Sequence, residues 1–426
     1  MNAVAENRVS TKISLLDFFF IGGLPGGVFL FRNLLYVLVL RQREAGEMAK
    51  VDASAGVQAV FLVVVLLVGI YYFIHHELIR YFIGNSAFKW FFLFYGLGLI
   101  SAIWSVDPIL TLYRATEAIA YALLIFAAVY TIYCKVGAEG LLRWLLWYSI
   151  YAIVLGALGR IKLLGFGAFG LGTFLEQQMT STPFFFMALL FPLPLWIRVP
   201  ILTISILSFS NTAYLGILLG TFALKEGSKY LKAIFFFGGI SLLVILLYFG
   251  AGDVLKNTVF YGKKGVGLEY TSGRDKIAAL SWEESMKQPL IGYGFVAGEI
   301  SVISETRGSG VIGAHNGFLS ALLGMGIPGA LLLAVFLVKI WFTSKSEVFP
   351  PLIRSALYGS FLMILVHTMG NPGIGSRVYG AWIPSVLIFT VISVLYSHFK
   401  QLTLYANYLD NPEFSGLQDT TVPRAR

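Results

Sequence analysis

The sequence predicts an all-α, polytopic integral membrane protein, and three observations carry that prediction. Hydrophobic residues fill 57% of the 426 positions and charged residues only 12%, which is too little polar surface to cover a soluble core of this size. The mean hydropathy is +0.78, so the bilayer is the chain's main solvent. Apolar stretches of helical length recur along the chain, and about ten to twelve spans of roughly 20 residues use most of it. The alternation of an outer-membrane barrel is absent.

Firm apolar runs lie near Val57–Ile74, Trp90–Ile103, Ile109–Cys134, Trp144–Leu158, Pro183–Trp196, Ala233–Phe249, Phe318–Trp341, Leu352–Met369 and Tyr379–Tyr396. Two further stretches are interrupted. Leu15–Leu40 contains Gly22-Gly23-Leu24-Pro25-Gly26-Gly27 and Arg32, and Ile201–Leu224 contains Ser208 to Thr212. Each reads as one kinked span or two short ones. No internal repeat of the transporter kind is visible.

Lys225, Lys229 and Lys232 fall between two spans, and Lys339, Lys345 and Arg354 fall at and between the facing ends of two more. The positive-inside rule therefore puts both connections in the cytoplasm and the segment between them outside. The expected organisation is an N-terminal transmembrane bundle (1–250), a long extracytoplasmic loop (251–312), C-terminal transmembrane helices (313–396) and a cytoplasmic tail (397–426). A loop of this length exceeds what a helix connection needs, which marks it as functional. Arg41 to Lys50 fits the charge rule poorly, and the N-terminal topology stays open.

The net charge of +9 is modest, and its Lys and Arg residues sit mainly between apolar runs, where topology and anionic lipid headgroups explain them. There is no nucleic-acid footprint. Cys134 is the single cysteine, so neither an internal disulfide nor a cysteine-built metal site is expected. Met1 to Lys12 is polar, and the first apolar run lacks an obvious cleavage site after it. The segment is expected to be retained.

Candidate chemistry gathers in and after the long loop. His315, expected in the first turn of an apolar helix, would feel the positive end of the helix dipole, which favours a neutral, proton-accepting imidazole. Arg274 offers a planar, bidentate donor suited to phosphate and opens an amphipathic helix expected over Asp275–Lys287. A lone histidine at a membrane interface is more often a solvated or hydrogen-bonded surface group, and Arg274 could simply pair with Asp275 or Glu283. Gly317, Ala321 and Gly324 have the spacing of a close-packed helix face. Glu283 and Glu284 lack a metal-like companion and read as solvated.

The ordered set Ser272-Gly273-Arg274-Asp275, Pro289-Leu290-Ile291-Gly292-Tyr293-Gly294, His315-Asn316-Gly317-Phe318-Leu319 and Gly324-Met325-Gly326-Ile327-Pro328-Gly329 resembles the O-antigen ligase and O-antigen polymerase superfamily. Upstream, Ser101, Trp104-Ser105-Val106-Asp107-Pro108 and Arg114 look like that family's tryptophan-serine element. The resemblance implies a membrane glycosyltransferase without metal or cofactor. Such an enzyme takes a glycan from undecaprenyl diphosphate at the periplasmic face of the bacterial inner membrane. It joins that glycan to an acceptor saccharide, either a lipid A core or a growing chain. His315 matches the family's loop histidine, which helps activate the acceptor hydroxyl. Arg274 matches a diphosphate-holding arginine, and Arg114, Arg307 and Asn316 are further substrate-binding candidates.

Asn211 stands where many family members carry an arginine, which leaves that diphosphate contact of the family pattern without its residue; Arg160, Lys162 or Arg307 could replace it in space. The competing class is a non-enzymatic lipid-glycan flippase or solute transporter, which would set its polar residues at the bilayer midplane on broken helices. In this sequence Arg274, Arg307 and His315 gather outside instead. A structural scaffold of an export complex is the third class, and it leaves His315 without a function.

Overall fold

The computed structural model describes residues 14–35, 53–76, 78, 87–164, 274–307, 313–314, 316–370, 373–378 and 382–409. Every regular element among them is helical: α1 (Leu15–Phe20), α2 (Gly23–Leu35), α3 (Ala53–His75), α4 (Phe88–Ile100), α5 (Pro108–Leu164), α6 (Arg274–Lys287), α7 (Ala297–Arg307), α8 (Gly317–Ser344), α9 (Pro351–Gly370) and α10 (Trp382–Leu409). A short 3₁₀ turn, Ser101–Ile103, extends α4. Five of the helices are long and apolar enough to cross a membrane. The all-α, multi-pass prediction holds, and the apolar runs at Pro183–Trp196, Ile201–Leu224 and Ala233–Phe249 lie outside the described residues.

Glycines divide several of these helices. The interrupted first run forms two short helices, α1 and α2, and Gly23, at φ 58°, opens the second. α5 breaks at Gly137, where φ is 68° and ψ −169°. Its two arms run back along each other: the Arg32 guanidinium lies 4.1 Å from the Tyr121 ring on the first arm, and the Asn33 amide reaches the Tyr148 hydroxyl on the second at 3.5 Å. In a straight helix Tyr121 and Tyr148 would be about 40 Å apart at 1.5 Å per residue. The element is therefore a helical hairpin, as the separate runs Ile109–Cys134 and Trp144–Leu158 anticipate.

The centre of the bundle is aromatic. Phe88 and Phe91 of α4 meet Phe126 of α5 and Phe336 of α8, with Phe88–Phe126 centroids 4.6 Å apart and Phe91–Phe336 5.3 Å apart, and Phe336 continues to Phe389 of α10. Between lipid and helix the hydrophobic force that folds soluble proteins is lacking, so close packing and edge-to-face ring contacts carry association. Conversely, α3 leaves Val60, Val63, Leu67, Tyr71 and Ile74 exposed. An apolar face of that size suits lipid and would be a liability in water.

The helices define two ends. At one end Phe349, in the α8–α9 connection, meets Tyr396 and Phe399 of α10, and Tyr133 of α5 bonds His398 at 2.7 Å. At the other, α8 begins beside the end of α9, where the Asn316 amide donates to the Met369 carbonyl. Trp382 opens α10 near that end, and its indole N–H donates to the Tyr95 hydroxyl at 2.6 Å with both side chains buried.

Trp382→Phe keeps a ring in the pocket but removes that donor, so apparent stability against heat in detergent should fall by about 1–3 kcal/mol, the range for disturbing a buried hydrogen bond. Trp341→Phe removes an indole bond to Tyr358 on a more exposed face and should lower stability by a few tenths of a kcal/mol. Equal losses in the two variants would contradict the assignment of Trp382 to the core.

Candidate active site

The site starts from a gap in α8. At Gly326 the backbone leaves the helical region, with φ 67° and ψ −166°, and Pro328 follows without an N–H to give. Such a break strands carbonyls at the end of the first arm and amides at the start of the second, and in a bilayer each must find a partner. The segment Pro289–Gly294 supplies them. Tyr293 N donates to Leu323 O at 2.9 Å and Gly294 N to Gly324 O at 2.8 Å, while Ile327 N donates to Pro289 O at 2.7 Å. The run Phe318–Trp341, continuous by hydropathy, is thus two helical pieces joined through another segment of chain.

Glycine is needed for that approach. A Cβ on Gly292, whose φ is +63°, would lie 2.6 Å from the Gly324 carbonyl carbon, and one on Gly326 would lie equally close to Leu290 C. Gly294, at φ +100°, has no room for a Cβ because it would overlap the Ser105 side chain. Gly317, Ala321 and Gly324 are packing residues, as their spacing suggests. Ala321 is fully buried, a Cβ on Gly317 would strike Ile374 O, and Gly324 faces Gly294 O and Phe295 Cα.

The tryptophan-serine element closes the other side of the same segment. Trp104 Nε1 donates to Ile291 O at 2.8 Å, Val106 N to Tyr293 O at 3.0 Å, and Ser105 Oγ lies 2.7 Å from Thr111 Oγ1. Thr111 Oγ1 in turn donates to Phe295 O, and Phe295 N to Ser101 Oγ. Asp107 accepts from Leu110 N at 3.0 Å. With Pro108 at the first helical position, this is the cap-then-proline start expected of a helix such as α5. Phe295 is fully buried, its ring 5.7 Å from Tyr95. Val296 follows at φ 62°, a left-handed geometry that strains a β-branched residue by about 1–3 kcal/mol. The anchored Phe295 on one side and the start of α7 on the other hold it there.

Two helices from the long segment pack beside this crossing. α6 turns Ile277, Ser281 and Ser285 inward, each buried, and leaves Trp282, Glu283, Met286 and Lys287 exposed. This is the amphipathic helix expected there. Its Glu284 is mostly covered and pairs with Lys287 at 2.7 Å, which holds the lysine above its ordinary value. The exposed Glu283 fits the solvated reading, whereas Glu284 is an ion-pair member. Burial, and then the Glu284 charge, raise the Tyr293 phenol, whose hydroxyl reaches Glu284 O at 3.4 Å.

From α7 comes Glu299, a residue without a motif to flag it in the sequence. It is 2% exposed. Its Oε1 accepts from Ala314 N at 2.8 Å and its Oε2 from Ser376 Oγ at 2.7 Å. Two residues further on, Asn316 caps α8, its Oδ1 accepting from Phe318 N and Leu319 N. Asn316, a substrate-binding candidate by sequence, therefore spends its side-chain oxygen on the helix and one amide hydrogen on Met369. α8 begins at Gly317, so its first turn starts beyond position 315 rather than containing it.

His315 and Asn211 lie outside the described residues, as do the side chains of Arg274 and Arg307. The backbone of Arg274 opens α6 and that of Arg307 closes α7. Arg114 is placed in full: one turn past Thr111, it bonds Glu117 at 2.8 Å, with Arg114 a quarter exposed and Glu117 largely buried. Its guanidinium carbon lies 5.2 Å from the Tyr113 ring. Among the described residues, no three His, Cys, Asp or Glu side chains gather as metal ligands would.

Residues 196–334 match a family model described as O-antigen ligase. The matched range contains α6, α7, the crossing segment and the first arm of α8, while the tryptophan-serine element bonded to them lies outside it. No curated protein matches the chain.

If the crossing depends on glycine at these points, Gly292→Ala should lower stability in detergent by at least about 1–3 kcal/mol from its backbone angle alone. Gly96→Ala, in α4 with nothing near its would-be Cβ, should be neutral or stabilising by about 0.5–1 kcal/mol. Thermal melts of the two purified variants decide this, and a stable Gly292→Ala would contradict the geometry.

Proposed function

We propose, from the match of residues 196–334 to the O-antigen ligase family model, that this protein is a membrane glycosyltransferase. It moves a glycan from undecaprenyl diphosphate to an acceptor saccharide, a lipid A core or a growing chain, at the periplasmic face of the inner membrane. The observation that carries this reading is the convergence of the motifs. The tryptophan-serine element, the Pro289–Gly294 segment and the Gly324–Gly329 break meet in one hydrogen-bonded crossing, and the chain flanking His315 is anchored at the same end of the bundle.

Charge supports the orientation. Lys345 and Arg354 flank the α8–α9 connection, and Lys135 and Arg143 flank the Gly137 turn, so both of these short connections, at the end opposite the crossing, carry basic residues. The positive-inside rule makes that end cytoplasmic.

In the reaction we propose, His315 accepts the proton of an acceptor hydroxyl as its oxygen bonds the anomeric carbon of the donor glycan. The bond from that carbon to the diphosphate oxygen breaks, and undecaprenyl diphosphate leaves as an anion. A sugar hydroxyl is a weak nucleophile until a base within hydrogen-bond reach takes its proton. Arg274, with Arg307 and Arg114 as further contacts, stabilises the charge that develops on the diphosphate. Arg114 comes already oriented by Glu117. One base and no covalent nucleophile make a single displacement with inversion the matching course, without a metal ion.

The broken α8 bears on the transporter alternative. Discontinuous helices in transporters offer freed backbone groups to substrate. Here Leu323 O, Gly324 O and Ile327 N are consumed by Pro289, Tyr293 and Gly294, which favours a scaffold for catalysis.

His315→Ala should preserve expression and cut turnover by about a hundred- to ten-thousand-fold, with donor binding little changed. His315→Gln separates proton acceptance from positioning, and near-normal turnover there would remove His315 as the base. Arg274→Lys keeps charge but loses the planar fork and should reduce activity substantially. For the orientation, a cysteine at exposed Gln288 in a Cys134→Ser background should react with an impermeant thiol reagent once only the outer membrane is opened. Reaction only after inner-membrane lysis would reverse the topology.

A further inference from the structure

We propose that Glu299 is a positioning residue for the transfer reaction, its buried carboxylate holding in place the chain that leads into His315. The proposal rests on the reading of His315 as the base. A glutamate only 2% exposed is an expensive residue to bury unless its oxygens are satisfied. Both are. Oε1 accepts from Ala314 N at 2.8 Å and Oε2 from Ser376 Oγ at 2.7 Å. One side chain therefore ties three stretches of chain: the first turn of α7, the residues entering α8, and the α9–α10 connection.

The contact is close enough to shape the sequence around it. Gly313 sits at φ +117°, and a Cβ there would overlap Glu299 Oε1, so the backbone touches the carboxylate directly. On the far side of position 315, Asn316 is fixed to α8 through Phe318 N and Leu319 N and to the end of α9 through Met369 O. The residue before the histidine and the residue after it are each pinned by a side-chain hydrogen bond to a different element.

A purely structural tie could be made by apolar packing, which is often as stable as a buried charge. A carboxylate instead fixes two donors at set angles, which orients chain as well as holding it. That matters where chemistry follows, because a misplacement of about 1 Å in a reacting group can lower rate about a hundredfold. Glu299 is buried with a protein donor on each oxygen. Its effect passes through the backbone at Gly313–Ala314.

The test uses the full-length protein in liposomes with undecaprenyl-diphosphate oligosaccharide and an acceptor saccharide. Glu299→Ala should lower kcat by about 10–100-fold, up to the loss that a misplacement of about 1 Å brings, and leave KM for the lipid-linked donor within about twofold. Glu299→Gln can still accept from Ala314 N and can donate its amide to Ser376 Oγ, so it should restore kcat to within a few-fold of wild type. Combined with His315→Ala, Glu299→Ala should add no further loss, as expected of residues acting as one unit. Hydrogen exchange should quicken in the peptide covering 313–316 in the alanine variant and return to the wild-type rate in the glutamine variant. Glutamine as damaging as alanine would give the negative charge a role of its own and overturn the proposal, as would an additive double variant or unchanged exchange. If His315→Ala itself turns over normally, the base reading fails and takes the proposal with it. If His315→Ala is inactive while Glu299→Ala is normal, only the proposal fails.

Discussion

The architecture depends on how the chain satisfies a backbone break inside the bilayer. α8 is interrupted at Gly326, and the groups released there would cost several kcal/mol each if left unpaired in hydrocarbon. They are taken up by Pro289, Tyr293 and Gly294, so a segment separated from α8 by α7 becomes part of its wall. That segment has carbonyls of its own to satisfy, and the indole of Trp104, the amide of Val106 and the hydroxyl of Thr111 serve Ile291, Tyr293 and Phe295. Each layer is held by the next. This explains why tryptophan, serine, threonine and four closely spaced glycines occur where they do.

The crossing also links the scaffold to the site. Phe295, locked among the α4 rings, sets where α7 begins, and the strained Val296 turns the chain into it. α7 in turn presents Glu299 to the residues before α8. The Pro289–Gly294 segment therefore fixes two approaches to the region around position 315, one through the first arm of α8 and one through α7. Under the proposed function, rigidity of this kind would help bring a lipid-linked donor and a sugar acceptor together, since the entropy of orienting both reactants is lost before reaction.

Much of the fold was legible from hydropathy, because the bilayer demands apolar length and little else. The runs at Val57, Trp90, Ile109, Trp144, Phe318 and Leu352, and the last run from Trp382 on, appear as helices or helical arms. The break in α8 has a signature too, Gly324-Met325-Gly326-Ile327-Pro328-Gly329, although hydropathy averages across it. Contacts between distant residues left no trace of that kind. Nothing near Trp104 indicates that its indole meets Ile291, 187 positions later. Glu299 looks like an ordinary acidic residue at a helix start, and only the return of Gly313 and Ser376 to its carboxylate gives it significance. The small-residue stripe of Gly317, Ala321 and Gly324 was readable as packing, but the segment it packs against was not.

The central claim is that this membrane protein breaks and makes a glycosidic link. The most direct measurement follows the labelled glycan of an undecaprenyl-diphosphate oligosaccharide added to proteoliposomes of the wild-type protein with an acceptor saccharide. The account predicts label on the acceptor together with released undecaprenyl diphosphate. Label that crosses the bilayer still attached to its lipid, with no new saccharide product, would contradict it and identify a carrier instead.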